Sequence, residues 1–163
     1  FYAMDRDKRF DRTNQALMAM ICGKGNSFRS VDQYVEERYR AGESDEFLTP
    51  GFNANCPAGL IKPDDVVLYF NFRIDRAIQL NAVLSNPHYL WRPQFVVPRV
   101  FLVTMCDYDQ LVSANAILFP RPVLNNCLGS WLSQHGYRQL RAAETEKIAH
   151  VTFFLGRGAG LFC

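Results

Sequence analysis

The sequence predicts an α/β protein built on a mainly parallel sheet, and three observations carry that expectation. Residues 66–71 and 100–105 are short continuous apolar runs, the pattern of strands buried on both faces. Between them, residues 73–84 read as a helix, and strands alternating with helices point to βαβ units. Finally, 163 residues with 48% apolar and 21% charged side chains are enough for one ordinary domain, or one domain and part of another.

The elements follow in order. Residues 12–22 form a helix with Leu17, Met20 and Ile21 on one face, stopped by Gly23 with Gly25 close behind. Ser30 and Gln33 make a capping-box pattern, and the helix they start runs to about Ala41-Gly42. Residues 51–63 are a loop punctuated by Pro57, Gly59 and Pro63. After the first buried strand, Ala77, Ile78, Leu80 and Leu84 suit a helix packed on a sheet, and residues 114–119 supply a further strand. Pro120-Arg121-Pro122 is extended and suits a hinge. Beyond it come a helix over residues 124–135 closed by Gly136, a strand over 139–142, and residues 144–154, which suit a helix or, at 151–154, a strand.

Composition excludes several classes. Eighteen basic residues against 16 acidic leave +2, too balanced for an electrostatic nucleic-acid binder. The apolar runs are too short to span a membrane, and no segment has the order of a secretory signal. Cys22, Cys56, Cys106, Cys127 and Cys163 are odd in number with no CxxC pair. With His88, His135 and His150 they assemble no zinc pattern, so reduced thiols in a cytoplasmic protein are expected. The chain opens on Phe1-Tyr2-Ala3-Met4 and stops at Leu161-Phe162-Cys163, neither a solvated tail, which is the expectation for an internal piece of a longer protein.

The strongest chemical pattern is Arg73-Ile74-Asp75-Arg76, directly after the first buried strand. Ligands of open α/β sheets bind beyond the carboxyl ends of strands, and a helix starting there offers backbone N–H groups to an anion. Arginines three apart on a helical turn reach one ligand and grip carboxylate or phosphate with their forks. The plain alternative is two surface arginines paired with Asp75 or Asp65. Residues 5–9 are a mixed charge run, read by itself as a solvated face. Lys147 and His150 stand three apart before an apolar stretch, where Lys147 alternatively pairs with Glu144 or Glu146. Asp64-Asp65 and Asp107 with Asp109 are weak as metal sites without a histidine partner.

Four ordered segments resemble the cofactor-independent (2,3-bisphosphoglycerate-independent) phosphoglycerate mutases. They are Tyr2-Ala3-Met4-Asp5-Arg6-Asp7 with Arg12, Asp45-Glu46-Phe47, Phe70-Asn71-Phe72-Arg73-Ile74-Asp75-Arg76-Ala77, and a final stretch. That stretch contains Leu128-Gly129, Gln139-Leu140-Arg141 and Ala143-Glu144-Thr145-Glu146-Lys147, with His150-Val151-Thr152-Phe153-Phe154. The sequence departs at Ile74, where the family has proline or alanine, and residues 156–163 match its continuation only loosely.

The resemblance implies a two-domain glycolytic isomerase interconverting 3- and 2-phosphoglycerate through a phosphoserine. Residues 1–119 would be the second half of the transferase (glycerate-binding) domain, 120–123 the hinge, and 124–163 the start of an alkaline-phosphatase-like domain. Arg6, Arg73, Arg76 and Lys147 fall on substrate-binding positions, Lys147 with a catalytic role on the phosphoryl group. Asp5, Asp75 and His150, inside the same motifs, are further candidates. Two manganese ions are implied, with ligands outside this chain and none within it. The serine segment is likewise outside, so the 163-residue chain alone is expected to be inactive. The implied partner is a small phosphorylated acid, without nucleic acid or membrane, and the complete protein is expected to be a monomer. Alternatives are a non-catalytic anion-binding or interaction module, or a related metal-dependent phosphatase or phosphotransferase.

Overall fold

The first helix forms in the computed structural model over Phe10–Leu17 (α1) and widens into a π-helical turn, Met18–Cys22. Gly23 ends it at φ 59°, where Lys24 N–H donates to the Met18 carbonyl at 3.1 Å. That left-handed conformation needs no Cβ, which here would press to 3.1 Å from Leu60 Cδ1. The structure describes residues 1–120, 127–148 and 150–154. The chain divides into two compact units, Phe1–Arg121 and Pro122–Cys163.

In the first unit, Asn26–Phe28 (β1) and Gly51–Asn53 (β2) form a two-stranded parallel sheet, Asn26 opposite Gly51, with the helix Val31–Arg40 (α2) between them in sequence. The segment expected to be pure loop thus carries β2 and a short 3-10 turn, Pro57–Gly59. Three-residue strands are too short to show a period in sequence. Helix α2 starts after Ser30 and ends before Gly42 as expected. The capping box does not close, however. Ser30 makes no side-chain cap bond, and Gln33 Nε2 donates along the helix to Glu37 Oε1 at 3.2 Å.

The second sheet has the predicted parallel βαβ character. Val66–Tyr69 (β3), Phe101–Cys106 (β4) and Ala116–Phe119 (β5) lie in the order β3-β4-β5, with both pairings parallel. Val66 stands opposite Phe101 and Val103 opposite Ala116. The helix Ile78–Ser85 (α3) links β3 to β4. The expectation of burial on both faces fails for β3 and β4. Leu102 and Thr104 are buried, while Val66, Leu68 and Phe101 on the opposite face are exposed. Strand side chains alternate, and within this unit only one face turns into the core. That core joins Ala16 and Leu17 of α1 to Leu80, Ala82, Val83 and Leu84 of α3, with Tyr89. Phe10 stacks on Trp91 beside it at 5.0 Å.

The second unit carries the helix Leu128–Gln134 (α4), closed at Gly136 with φ 74°, then a 3-10 turn Thr145–Lys147 and a π-helical turn His150–Phe154. The strand expected over 139–142 is irregular backbone. Its polar side chains serve local backbone instead. Gln139 Nε2 donates to the Gly129 carbonyl at 2.8 Å, and Arg141 Nη1 donates to the carbonyls of Val151 and Thr152 at 3.2 and 3.3 Å. A Cβ at position 129 would stand 1.9 Å from Arg141 Nη2, so this guanidinium, the far end of a flexible side chain, lies directly over the glycine and would have to shift for any larger residue. Of the expected hinge, Pro120 is described, whereas Arg121, Pro122 and Val123 lie outside the described residues, as does 155–163. Among the described residues no helix is long and apolar enough to cross a membrane.

Candidate functional site

Strand β3 runs out into a turn that local side-chain bonds define. Asn71 Oδ1 accepts the Arg73 backbone N–H at 2.8 Å, an Asx turn, and Ala77 N–H closes on the Ile74 carbonyl at 3.0 Å. From the end of β4, Tyr108 donates its hydroxyl to the Asn71 carbonyl, bracing the strand exit. Burial pushes the Tyr108 phenol up to about 12. Helix α3 therefore starts at Ile78, not at Arg73, which corrects the expectation that the two arginines share a helical turn. The Ala77 N–H closes on the carbonyl three residues back, a turn bond in place of the four-residue step of an α-helix.

The turn nevertheless gathers the arginines. Arg6 Nη1 donates to Asp75 Oδ2 at 2.7 Å, and Arg73 grips the same carboxylate through Nε at 2.8 Å and Nη2 at 3.3 Å. Arg76 Nη1 reaches the Met4 carbonyl at 3.4 Å. Two guanidinium groups from segments 67 residues apart in sequence thus share one carboxylate, and the third, Arg76, reaches back from the turn to the segment that carries Arg6. Arg73 first, then Arg6, hold the Asp75 carboxyl down to about 2 against a partial burial that opposes the shift. Asp75 in turn raises Arg73. The pairing of Arg73 with Asp75 is the one the plain reading anticipated, and Arg6 joins it.

Asp5 departs most from its expected place. In a run read as a solvated face, its side chain is 1% exposed. Oδ2 accepts the backbone N–H groups of Asp7 (3.1 Å) and Arg9 (2.9 Å) and the Gln79 amide (3.0 Å), while Oδ1 takes Arg12 Nη1 at 3.1 Å. Gln79, from α3, was not among the sequence candidates. Its one sequence signal is a polar residue in a helix whose neighbouring positions are buried and mostly apolar.

The remaining candidates lie in the second unit. Lys147 closes the 3-10 turn, exposed, with its ammonium on the Glu144 carboxylate, and the exposed His150 begins the following π-helical turn. Among the described residues no three His, Cys, Asp or Glu side chains gather so as to hold a metal ion, and the residues present do not fit the implied manganese pair. A cavity of about 600 Å³, lined by Phe10, Asn14, Met18, Trp91, Arg92 and Phe95 among others, includes none of the candidate residues.

Comparison with known proteins bears on the same elements. Residues 1–110 match the family described as BPG-independent PGAM N-terminus. The chain is 45% identical over 159 residues to the 2,3-bisphosphoglycerate-independent phosphoglycerate mutase of Akkermansia muciniphila, covering 97% of this chain and 31% of that protein. It is 41% identical to the enzyme of the same name from Mycoplasma mycoides, covering 99% and 32%. Among solved structures it resembles a phosphoglycerate mutase of Leishmania mexicana, studied at low cobalt concentration, with a TM-score of 0.78 at 27% identity over 99% of this chain and 31% of that one. The chain therefore spans about a third of the length of the curated relatives it matches.

Proposed function

Because the chain belongs to the BPG-independent phosphoglycerate mutase N-terminal family, we propose that it supplies the anion-binding part of an isomerase interconverting 3- and 2-phosphoglycerate. The observation that carries this reading is the meeting of Arg6, Arg73 and Arg76 around Asp75 and Met4, beyond the carboxyl end of β3. The ligand carries a carboxylate and a phosphate. Guanidinium forks match both, and their bonds to Asp75 and Met4 use fewer donors than the three groups carry. Asp75 holds Arg6 and Arg73 facing one point while the anion is away, so little side-chain ordering is left to binding.

In this proposal Arg6, Arg73 and Arg76 bind and orient the glycerate. Lys147 gives up its exposed pairing with Glu144 to meet the phosphoryl group. As a compact ammonium on a flexible stem, it can follow a group that changes partners, where a rigid fork cannot. Phosphoryl transfer gains mainly from positioning and electrostatic stabilisation, which is what these residues offer. The nucleophilic serine and the two manganese ions would belong to parts of the whole protein outside these residues. The setting would be glycolysis in the cytoplasm, with the complete protein a monomer.

The deciding experiment is an assay of the full-length protein. Interconversion of 3- and 2-phosphoglycerate independent of added 2,3-bisphosphoglycerate, and weakened by Arg73→Ala, is expected. A full-length protein without that activity, or one indifferent to the substitution, would overturn the reading.

A further inference from the structure

We propose that Gln79 is a positioning residue, whose buried amide fastens the Arg6 loop to α3 and so sets the spacing between Arg6 and the Arg73–Arg76 turn. Gln79 is 3% exposed, and its amide meets partners on both sides. Its Oε1 accepts the Lys8 backbone N–H at 3.1 Å. Its Nε2 donates to Asp5 Oδ2 at 3.0 Å and to Thr13 Oγ1 at 2.6 Å. Asp5 and Thr13 are themselves 4% and 1% exposed. One side chain of α3 therefore holds the loop at residues 5 and 8 and the first turns of α1 at residue 13.

Three features make this more than a satisfied core amide. First, the loop it holds is strained where it is held. Lys8 has φ 58°, a left-handed conformation that a non-glycine residue keeps only when its surroundings enforce it. The bonds from Lys8 N–H to Gln79 and from Arg9 N–H to Asp5 stand on either side of that residue, and they enforce it. Second, the fastened segment contains Arg6, whose guanidinium leaves the loop to share Asp75 with Arg73. Third, Gln79 lies in the first turn of α3, three residues after Arg76, on the same short segment as the turn that presents Arg73 and Arg76. The amide is thus the buried link between two cation-bearing segments 67 or more residues apart. At the surface the two are joined only by partly exposed contacts such as Arg6 to Asp75, with side chains 38% and 36% exposed. Contacts of that kind are individually weak. A buried carboxylate with four donors around it is costly to disturb, because each lost donor leaves charge without compensation.

The inference rests on the anion-binding reading of Arg6, Arg73 and Arg76, and the experiment separates the two. In the full-length protein, Gln79→Met keeps the length of the side chain but removes both the donor and the acceptor. It is expected to lower kcat/KM by roughly tenfold to a hundredfold, chiefly by raising KM for 3-phosphoglycerate, as for a misplaced binding group. Backbone hydrogen exchange at Lys8 and Arg9 is expected to rise with it. Thr13→Val, a milder cut that removes one acceptor, should move KM and exchange in the same direction by less, and it stands in if Gln79→Met does not fold. Asn81→Ala is the control. Asn81 is fully buried in the same helix and donates to the Ala77 carbonyl at 2.7 Å, but it is no part of this network. It should lower Tm without raising KM.

A raised KM in Arg73→Ala beside a normal KM in both Gln79→Met and Thr13→Val would overturn the positioning role alone. So would an equal rise of KM in Asn81→Ala, which would mean general loosening. A normal KM in Arg73→Ala would remove the anion-binding reading on which the proposal stands.

Discussion

Arg6 and Arg73 of the first unit and Lys147 of the second are all exposed cations, yet they are held in opposite ways. Arg6 and Arg73 converge on one carboxylate from distant segments, with an Asx turn under Arg73 and a buried aspartate–glutamine pair behind Arg6. Lys147 sits at the end of a three-residue turn, and its salt-bridge partner, Glu144, is three residues back. The first arrangement fixes where the charges are before a ligand arrives. The second fixes very little, since an exposed pair of this kind is worth about 0–1 kcal/mol and is readily exchanged for another anion. Fixed forks suit a ligand group that stays in place, and a tethered point charge suits one that moves.

The comparison loses its premise if the two regions together suffice without the rest of the protein. The 163-residue chain, purified alone, is expected to convert no 3-phosphoglycerate to 2-phosphoglycerate even with manganese added. A phosphoenzyme route needs a nucleophile and a means of activating it, and no metal-holding group stands among the described residues. Manganese-dependent turnover by the chain alone would show that the nucleophile and the metal ligands are not confined to parts of the protein outside these residues.

In the full-length protein the fixed region should show the next largest effect. Arg73→Ala and Arg76→Ala are each expected to lose about 2–5 kcal/mol of kcat/KM, the usual cost of removing one partner of a charged contact. Arg73→Lys should recover little, because it keeps the charge but not the two-pronged grip now seen on Asp75. Normal kcat/KM in both alanine variants would return these residues to ordinary surface arginines.

How far the sequence reached depends on which forces act locally. The strands β3, β4 and β5 were legible because apolar runs report burial, but the runs could not say that only one face would be covered within this unit. The strands β1 and β2 left no signal, since three residues carry no period. The motif marks Arg73 and Arg76 but not the turn they lie in, where Ala77 N–H closes on Ile74 and the helix begins only at Ile78. Asp5 was read as solvated for a related reason. A carboxylate looks exposed in sequence until its donors are known, and Gln79 arrives from a position 74 residues away. Composition and spacing do not encode such a meeting.

Lys147 sharpens the comparison from the other side. Lys147→Ala is expected to lower kcat by on the order of 2 kcal/mol, as for a hydrogen bond to a charged group. Its effect on Tm should stay within the small cost of one exposed pair. Lys147→Arg should restore little, its fork being larger and differently aimed. Unchanged kcat in Lys147→Ala would leave this residue as the partner of Glu144 and nothing more.

The smallest effect concerns the carboxylate that holds the fixed region together. Asp75 titrates at about 2 in the folded chain against 3.8 for an unperturbed aspartate, lowered mainly by Arg73. A depressed carboxyl contributes stability that is complete above the unfolded value and fades as pH falls from 3.8 towards about 2. Its side chain is 36% exposed, so screening limits the contribution to under about 1 kcal/mol. Asp75→Asn should accordingly leave Tm almost unchanged at pH 7 and flatten its fall between pH 4 and pH 2 only slightly. The guanidinium groups should respond more clearly. With the shared acceptor neutral, the Arg6 and Arg73 side-chain N–H signals are expected to sharpen towards free rotation in NMR spectra at neutral pH, while those of Arg12, held by the buried Asp5, stay ordered. Unchanged order at Arg6 and Arg73 in Asp75→Asn would show that the framework behind the loop and turn fixes the two arginines without help from the carboxylate between them.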